Sequence, residues 1–158
     1  MRKTEDAFRW IIGILKEKRI PFQIMGGFAA NVYGSERRLA DIDINVPDRA
    51  LRRLYSLLKP HVVYGPRRYL DPHWDLALMT LRYKGQLIDL CGIDSQKIFD
   101  LKERHWVRMA KVFSSSTMRS VYGLRVPIVS RTVLVAYKTR LSRGVDIRDV
   151  EALRKAKR

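Results

Sequence analysis

The chain has 158 residues, 46% of them hydrophobic and 30% charged, which suits one ordinary domain with a real apolar core and excludes a disordered chain. No apolar run nears the roughly 18 residues of a membrane span, and the charged start, Met1 to Asp6, is unlike a secretory signal. Net charge is +16, and residues 101–158 supply a surplus of 11 (15 Lys and Arg against 4 Asp and Glu). Such a field attracts nucleic acid, nucleotides or an acidic protein partner, or else solubilises the surface.

In chain order, residues Glu5 to Lys18 place Phe8, Ile11, Ile12 and Leu15 on one helical face, and Pro21 ends the helix. Phe22 to Met25 is a short buried strand broken by Gly26-Gly27, and Phe28 to Tyr33 is a short helix stopped at Gly34. Asp41 to Val46 alternates polar and apolar residues as a strand does, and Pro47 closes it. Asp48 caps a helix with Leu51, Leu54, Leu57 and Leu58 inside. His61 to Tyr64 is a further strand, Gly65 to His73 a loop, and Trp74 to Tyr83 with Gln86 to Leu90 a hairpin about Lys84-Gly85. Cys91, the only cysteine, follows that apolar run and is expected in the core; a lone cysteine fits a reducing cytoplasm. Asp94 to Phe113 mixes a helical start with a strand. Beyond the polar loop Ser114 to Thr117, Met118 to Val129 is strand–turn–strand about Gly123. Ser130 caps a helix to about Arg143, and Asp146 caps a second that runs to the C-terminus. With no repeat or linker, the expectation is one α+β domain over residues 1–158.

Three groups of residues carry chemistry. As a strand, Asp41-Ile42-Asp43-Ile44 puts both carboxylates on one face, which suits either solvent or a hard divalent cation such as Mg²⁺. Asp89 interrupts the apolar run Leu87-Ile88-Asp89-Leu90, so its charge needs an arginine or a shared metal as compensation. Gly26-Gly27, between a strand and a helix, leaves backbone amides open to a phosphate, although a bare Gly-Gly is more often a turn. His61, His73 and His105 show no metal-ligand spacing. Trp74, Trp106 and the tyrosines are mostly core candidates, with Tyr69 the best placed to stack on a base. Arg67-Arg68 and the terminal run Arg154 to Arg158 are candidate nucleic-acid contacts.

The stretch Met25-Gly26-Gly27-Phe28-Ala29-Ala30-Asn31-Val32-Tyr33-Gly34-Ser35, continuing through Arg37 to Asp41-Ile42-Asp43-Ile44, resembles the nucleotidyltransferase superfamily. That superfamily includes minimal nucleotidyltransferases, antibiotic nucleotidyltransferases and the toxins of toxin–antitoxin systems. The resemblance implies a mixed β-sheet flanked by helices, with C-terminal helices. It implies that Gly26 and Gly27 hold the nucleotide triphosphate and that Asp41, Asp43 and Asp89 are the catalytic metal ligands, for two Mg²⁺ ions or Mn²⁺. Further along, Pro127 to Ser130, then Leu134, Lys138, Arg143, Asp146 and Asp149, is similar to the group's C-terminal helical segment, which implies that Ser130 and Lys138, with Arg37, face the nucleotide phosphates. Two departures stand out: the family commonly has Gly-Ser at Gly26-Gly27, and Thr where this chain has Leu39.

The implied activity is transfer of a nucleoside monophosphate from an NTP, such as ATP, to a hydroxyl on RNA of the tRNA kind or on a partner protein. A toxin–antitoxin setting and a cytoplasmic protein with no membrane contact are expected. The alternative is a catalytically weak or inactive member that binds nucleic acid or a partner. Antibiotic modification fits less well, since no dedicated aminoglycoside domain is evident.

Overall fold

The computed structural model describes residues 2–156. Five helices are arranged around one nine-stranded sheet: α1 (Arg2–Glu17), α2 (Gly26–Val32), α3 (Asp48–Leu58), α4 (Arg131–Leu141) and α5 (Gly144–Lys155). The strands are β1 (Gln23–Met25), β2 (Asp41–Val46), β3 (Val62–Leu70), β4 (Trp74–Tyr83), β5 (Gln86–Gly92), β6 (Lys97–Asp100), β7 (His105–Arg108), β8 (Ser116–Val121) and β9 (Leu124–Val129). Their order is β7-β6-β4-β5-β2-β1-β9-β8, with β3 on the free edge of β4. Pairing is mixed: β2 with β5 and β1 with β9 run parallel, and the other pairs are antiparallel. This is the α+β architecture, a mixed sheet flanked by helices. Among the described residues, no helix is long and apolar enough to cross a membrane.

Period-two alternation assigns each sheet residue to a face. On one face Ile42, Ile44, Met79, Leu81, Ile88 and Leu90 are fully buried. Helices α1 and α3 cover it, through Phe8, Ile11, Ile12 and Leu15 of α1 and Leu51, Leu54 and Leu58 of α3. Burying a side chain of this kind is worth about 1.5–3 kcal/mol, so these residues dominate the driving force for folding. The opposite face carries Asp41, Asp43 and Asp89. The C-terminal helices border it, tied at one point by Trp74 Nε1, which donates to Tyr137 Oη at 3.0 Å.

Several boundaries differ from the sequence reading. Gly65 to His73, expected as a loop, is mostly strand: Arg67 to Leu70 pair with Leu78 to Asp75 of β4. The edge position explains this, because register shifts between Val62 and Arg67 absorb Gly65-Pro66 where no outer neighbour needs its hydrogen bonds. The uncertain stretch from Asp94 to Phe113 forms the β6–β7 hairpin and a 3₁₀ turn, with Arg104 in the left-handed region at φ 58°. Helix α2 starts at Gly26 rather than Phe28, and α5 at Gly144 rather than Asp146.

Candidate active site

The register of the parallel β2–β5 pair sets Asp43 directly beside Asp89, with Ile42 beside Ile88 and Ile44 beside Leu90. The isoleucines and leucine take the sealed face, so the aspartates must share the other. Asp41, Asp43 and Asp89 each offer one carboxylate oxygen, all within 4.8 Å of one another. On the far side of β2, Met25 of β1 pairs with Asp43, and the next residue, Gly26, has φ +64°. An added Cβ there would collide with the Asp43 carboxylate, so glycine is required both by the backbone and by the close approach. A Cβ on Gly27 would meet the Arg37 guanidinium and Leu39.

Electrostatics mark this cluster as incomplete by itself. Burial pushes Asp43 well above the ordinary carboxylate range, and the charges of Asp41 and Asp89 push it further, against Lys138 and Arg143. Asp89 is raised to about 6, chiefly by burial, while the Thr80 hydroxyl donates to it at 2.6 Å and opposes the shift. Asp41 is raised by burial too, with Arg37 the main opposing charge. Three crowded carboxylates whose ionisation is penalised form a hard-oxygen donor set, and a divalent cation is the group that relieves all three at once. The donor set therefore fits such a metal.

The neighbouring cations are already engaged. Lys138 is 1% exposed, and its ammonium bridges Asp146 at 3.2 Å and Asp149 at 2.9 Å. Arg37 donates to both oxygens of Asp149 at 3.0–3.1 Å, and Ser35 donates to the same carboxylate at 2.8 Å. Arg143 Nε donates to Asp146 at 2.6 Å. This buried ionic cluster joins the α4–α5 corner to the segment after α2 and holds Arg37 over Gly27.

Comparison of the sequence with protein-family models and with curated proteins finds no match. Solved structures do match. A Thermotoga maritima protein assigned as a nucleotidyltransferase superposes with TM-score 0.73 at 17% identity, over 95% of this chain and 89% of that one. The lincosamide antibiotic adenylyltransferase LnuA, with lincomycin bound, gives 0.64 at 14% identity over 96% and 97%. Antibiotic-resistance factor ANT(2'')-Ia, in complex with adenylyl-2''-tobramycin, gives 0.60 at 17% over 94% and 84%. The chain has the nucleotidyltransferase fold.

Within this nucleotidyltransferase fold, Asp41, Asp43, Asp89, Gly26, Gly27 and Arg37 converge on one place. Lys138 lies behind it, closed off from solvent in the ionic cluster. Ser130 is the N-cap of α4, its side chain accepting from the Val133 amide at 3.4 Å. The Arg67-Arg68 pair is divided between faces. Arg67 pairs with Leu78 and shares the carboxylate face, whereas Arg68 pairs with Ala77 on the other side and binds Asp75 at 2.8 Å. Of the run Arg154 to Arg158, Lys157 and Arg158 lie outside the described residues.

Sequence reasoning did not single out Thr80 or Arg143 as site residues, nor the cavity they line. It holds about 460 Å³ and lies against Asp41 and Asp89, walled by Tyr64, Tyr69, Trp74, Leu76 and Leu78. The alternation of β4 was the available signal, since Trp74, Leu76, Leu78 and Thr80 share one parity. Which face that parity met was invisible before pairing.

Proposed function

We propose that this protein transfers a nucleoside monophosphate from an NTP to an acceptor hydroxyl, with Mg²⁺, or Mn²⁺, held by Asp41, Asp43 and Asp89. The observation that carries this reading is the convergence of three raised carboxylates beside Gly26 and Gly27 in a fold shared with adenylyltransferases. The acceptor is RNA, as the +16 net charge favours. An exposed hydroxyl on a partner protein, as in a toxin–antitoxin pair, is the competing acceptor. LnuA, similar over 97% of its own length, supports a small-molecule acceptor as a second reading.

In the reaction, the acceptor oxygen attacks the α-phosphorus in line, the bond from that phosphorus to the β-phosphate oxygen breaks, and pyrophosphate leaves. When bound, the divalent metal supplies positive charge to the phosphates and acidifies the acceptor hydroxyl. Asp41 and Asp43 would hold it from β2, and Asp89, beside them on β5, would complete its ligands and receive the hydroxyl proton. Gly26 and Gly27 make room for the Asp43 carboxylate and the Arg37 guanidinium, and Arg37, held there, offsets the charge of the triphosphate. Lys138 contributes by fixing the α4–α5 corner behind the site, and Ser130 by capping the other end of α4.

The test is incubation with each α-³²P-labelled NTP, Mg²⁺ and total RNA, beside the Asp41→Ala, Asp43→Ala double variant. Label on RNA that disappears in the variant is the expected result. Label on a protein or a small molecule instead moves the acceptor class. A wild-type protein that binds RNA in a salt-sensitive way, transfers no label, and behaves identically in the double variant is a binding module with a dormant site.

A further inference from the structure

The cavity beside the carboxylates has a chemical character of its own. At about 460 Å³ it lies within the roughly 300–1,000 Å³ typical of sites for one small ligand. Its aromatic walls are fixed in advance. Tyr69 Oη donates to Asp71 at 2.8 Å, and the same carboxylate accepts the amides of His73 and Trp74, each at 2.7 Å. Tyr64 meets Tyr69 edge-on, with ring centroids 6.1 Å apart, and Trp74 is held by Tyr137.

Two guanidinium groups flank these rings. Arg143 lies 4.4 Å over Trp74 and is anchored by Asp146. Arg67 lies 4.4 Å over Tyr64; it is exposed, and among the described residues no carboxylate pairs with it. The site thus offers flat apolar walls, cations at the rim and carboxylates at the base. A serine or threonine side chain would leave most of this space empty, and a duplex end does not enter a cavity of this size. A single unstacked nucleotide satisfies every part: a π-face for the walls, a phosphate for the arginines and a ribose hydroxyl for the carboxylate.

We propose that the cavity seats the 3′-terminal nucleotide of a single-stranded RNA acceptor, with its base against Tyr64, Tyr69 and Trp74, its phosphate at Arg67 and Arg143, and its ribose hydroxyl at Asp89. The assignment rests on the nucleotidyl-transfer reading above and names the part of the acceptor that it uses. In the step it serves, the terminal ribose oxygen forms a bond to the α-phosphorus of the NTP as the bond to the β-phosphate oxygen breaks. Pyrophosphate leaves, the hydroxyl proton passes to Asp89, and the RNA gains one nucleotide.

A short oligoribonucleotide with 2-aminopurine at its 3′ end tests this, since stacking on an aromatic ring quenches the probe. With Mg²⁺ and no NTP, wild-type protein is expected to quench the terminal probe and to leave an internal one bright. Tyr64→Leu and Tyr69→Leu should weaken binding roughly 5- to 100-fold, while Tyr69→Phe, which keeps the ring but loses its bond to Asp71, should weaken it less than Tyr69→Leu. If the leucine variants misfold, Arg67→Ala at its exposed position decides: weaker terminal binding supports the assignment, and unchanged binding overturns it. Equal quenching at internal positions also overturns it. The transfer reading fails separately. Terminal quenching with no label passed from NTP to RNA supports the cavity assignment and sinks transfer to RNA; label on RNA without terminal quenching sinks the cavity assignment alone.

Discussion

At the residue scale, Asp43 has nowhere to go. Strand pairing places it between Gly26 on one side and Asp89 on the other, so its charge is tolerable only when something positive joins it. Asp43→Asn removes one like charge, so the metal-free protein should melt at the same temperature as wild type or higher. Its activity should fall by more than about 100-fold, beyond the 10- to 100-fold typical of residues that merely orient metal ligands. Melting curves with and without Mg²⁺, beside the labelling assay, check both halves. Gly26→Ala should cost about 1–3 kcal/mol in urea unfolding, because φ +64° is strained for alanine, and the new methyl group displaces Asp43. The pH dependence has a definite sign. Burial raises all three carboxylates in the folded protein, Asp89 from 3.8 to about 6. Between those values the folded state binds more protons than the unfolded chain, so this cluster's contribution to stability is lost as pH rises. The metal-free protein should therefore melt lower at about pH 7.5 than at about pH 5 on account of this cluster, and Mg²⁺ should raise the melting point more at the higher pH. The depressed carboxylates Asp71, Asp75, Asp100 and Asp149 titrate below that window and leave it uncluttered.

At the element scale, the α4–α5 corner is held by charge rather than by apolar packing alone. Lys138, Asp146 and Asp149 are buried together, with Arg37 and Arg143 completing the set. Ions taken out of water stabilise a fold only while all partners are present. Lys138→Met keeps the side-chain volume and takes one cation from each of two buried carboxylates, leaving Asp149 to Arg37 and Asp146 to Arg143, so it should cost about 1.5–3 kcal/mol in urea unfolding. The exposed neighbour substitution Thr139→Ala should cost within about 0.5 kcal/mol. Because Asp149 also holds Arg37 over Gly27, a weakened corner should reduce NTP affinity without any change in the three carboxylates. The β3–β4 pair makes the other element-level point. Its alternation sends Arg67 to the carboxylate face and Arg68 to the reverse, where Asp75 neutralises it. Two adjacent arginines that look equivalent in the sequence are thus inequivalent in the sheet.

At the scale of the whole molecule, the +16 charge supplies a long-range attraction that names no ligand, and in the proposal above it is the aromatic cavity that would select one. RNA affinity should fall steeply with salt, the slope for single strands being about −0.7 per phosphate neutralised. Arg67→Ala should flatten that slope by about 0.7, and Arg68→Ala, already paired and on the reverse face, should leave it unchanged. Fluorescence anisotropy of one oligoribonucleotide across a salt series separates the two.

The sequence by itself determined the carboxylate set, the glycine pair and most of the element order. These are local signals: two aspartates two residues apart in a strand must share a face, and a charge inside an apolar run demands a partner. It did not determine that Gly65 to Leu70 would join the sheet, because turn residues on an edge strand become β only when β4 is there to receive them. Nor did it determine the burial of Lys138 among Asp146 and Asp149, which depends on two helices meeting at one corner. The cavity beside Asp89 was least legible of all, since its walls come from β3 and β4, its base from β2 and β5, and its rim from Arg143. Alternation along a strand gives parity and leaves the face open. Only the pairing of distant strands decides which parity meets the carboxylates, and with it what the site can hold.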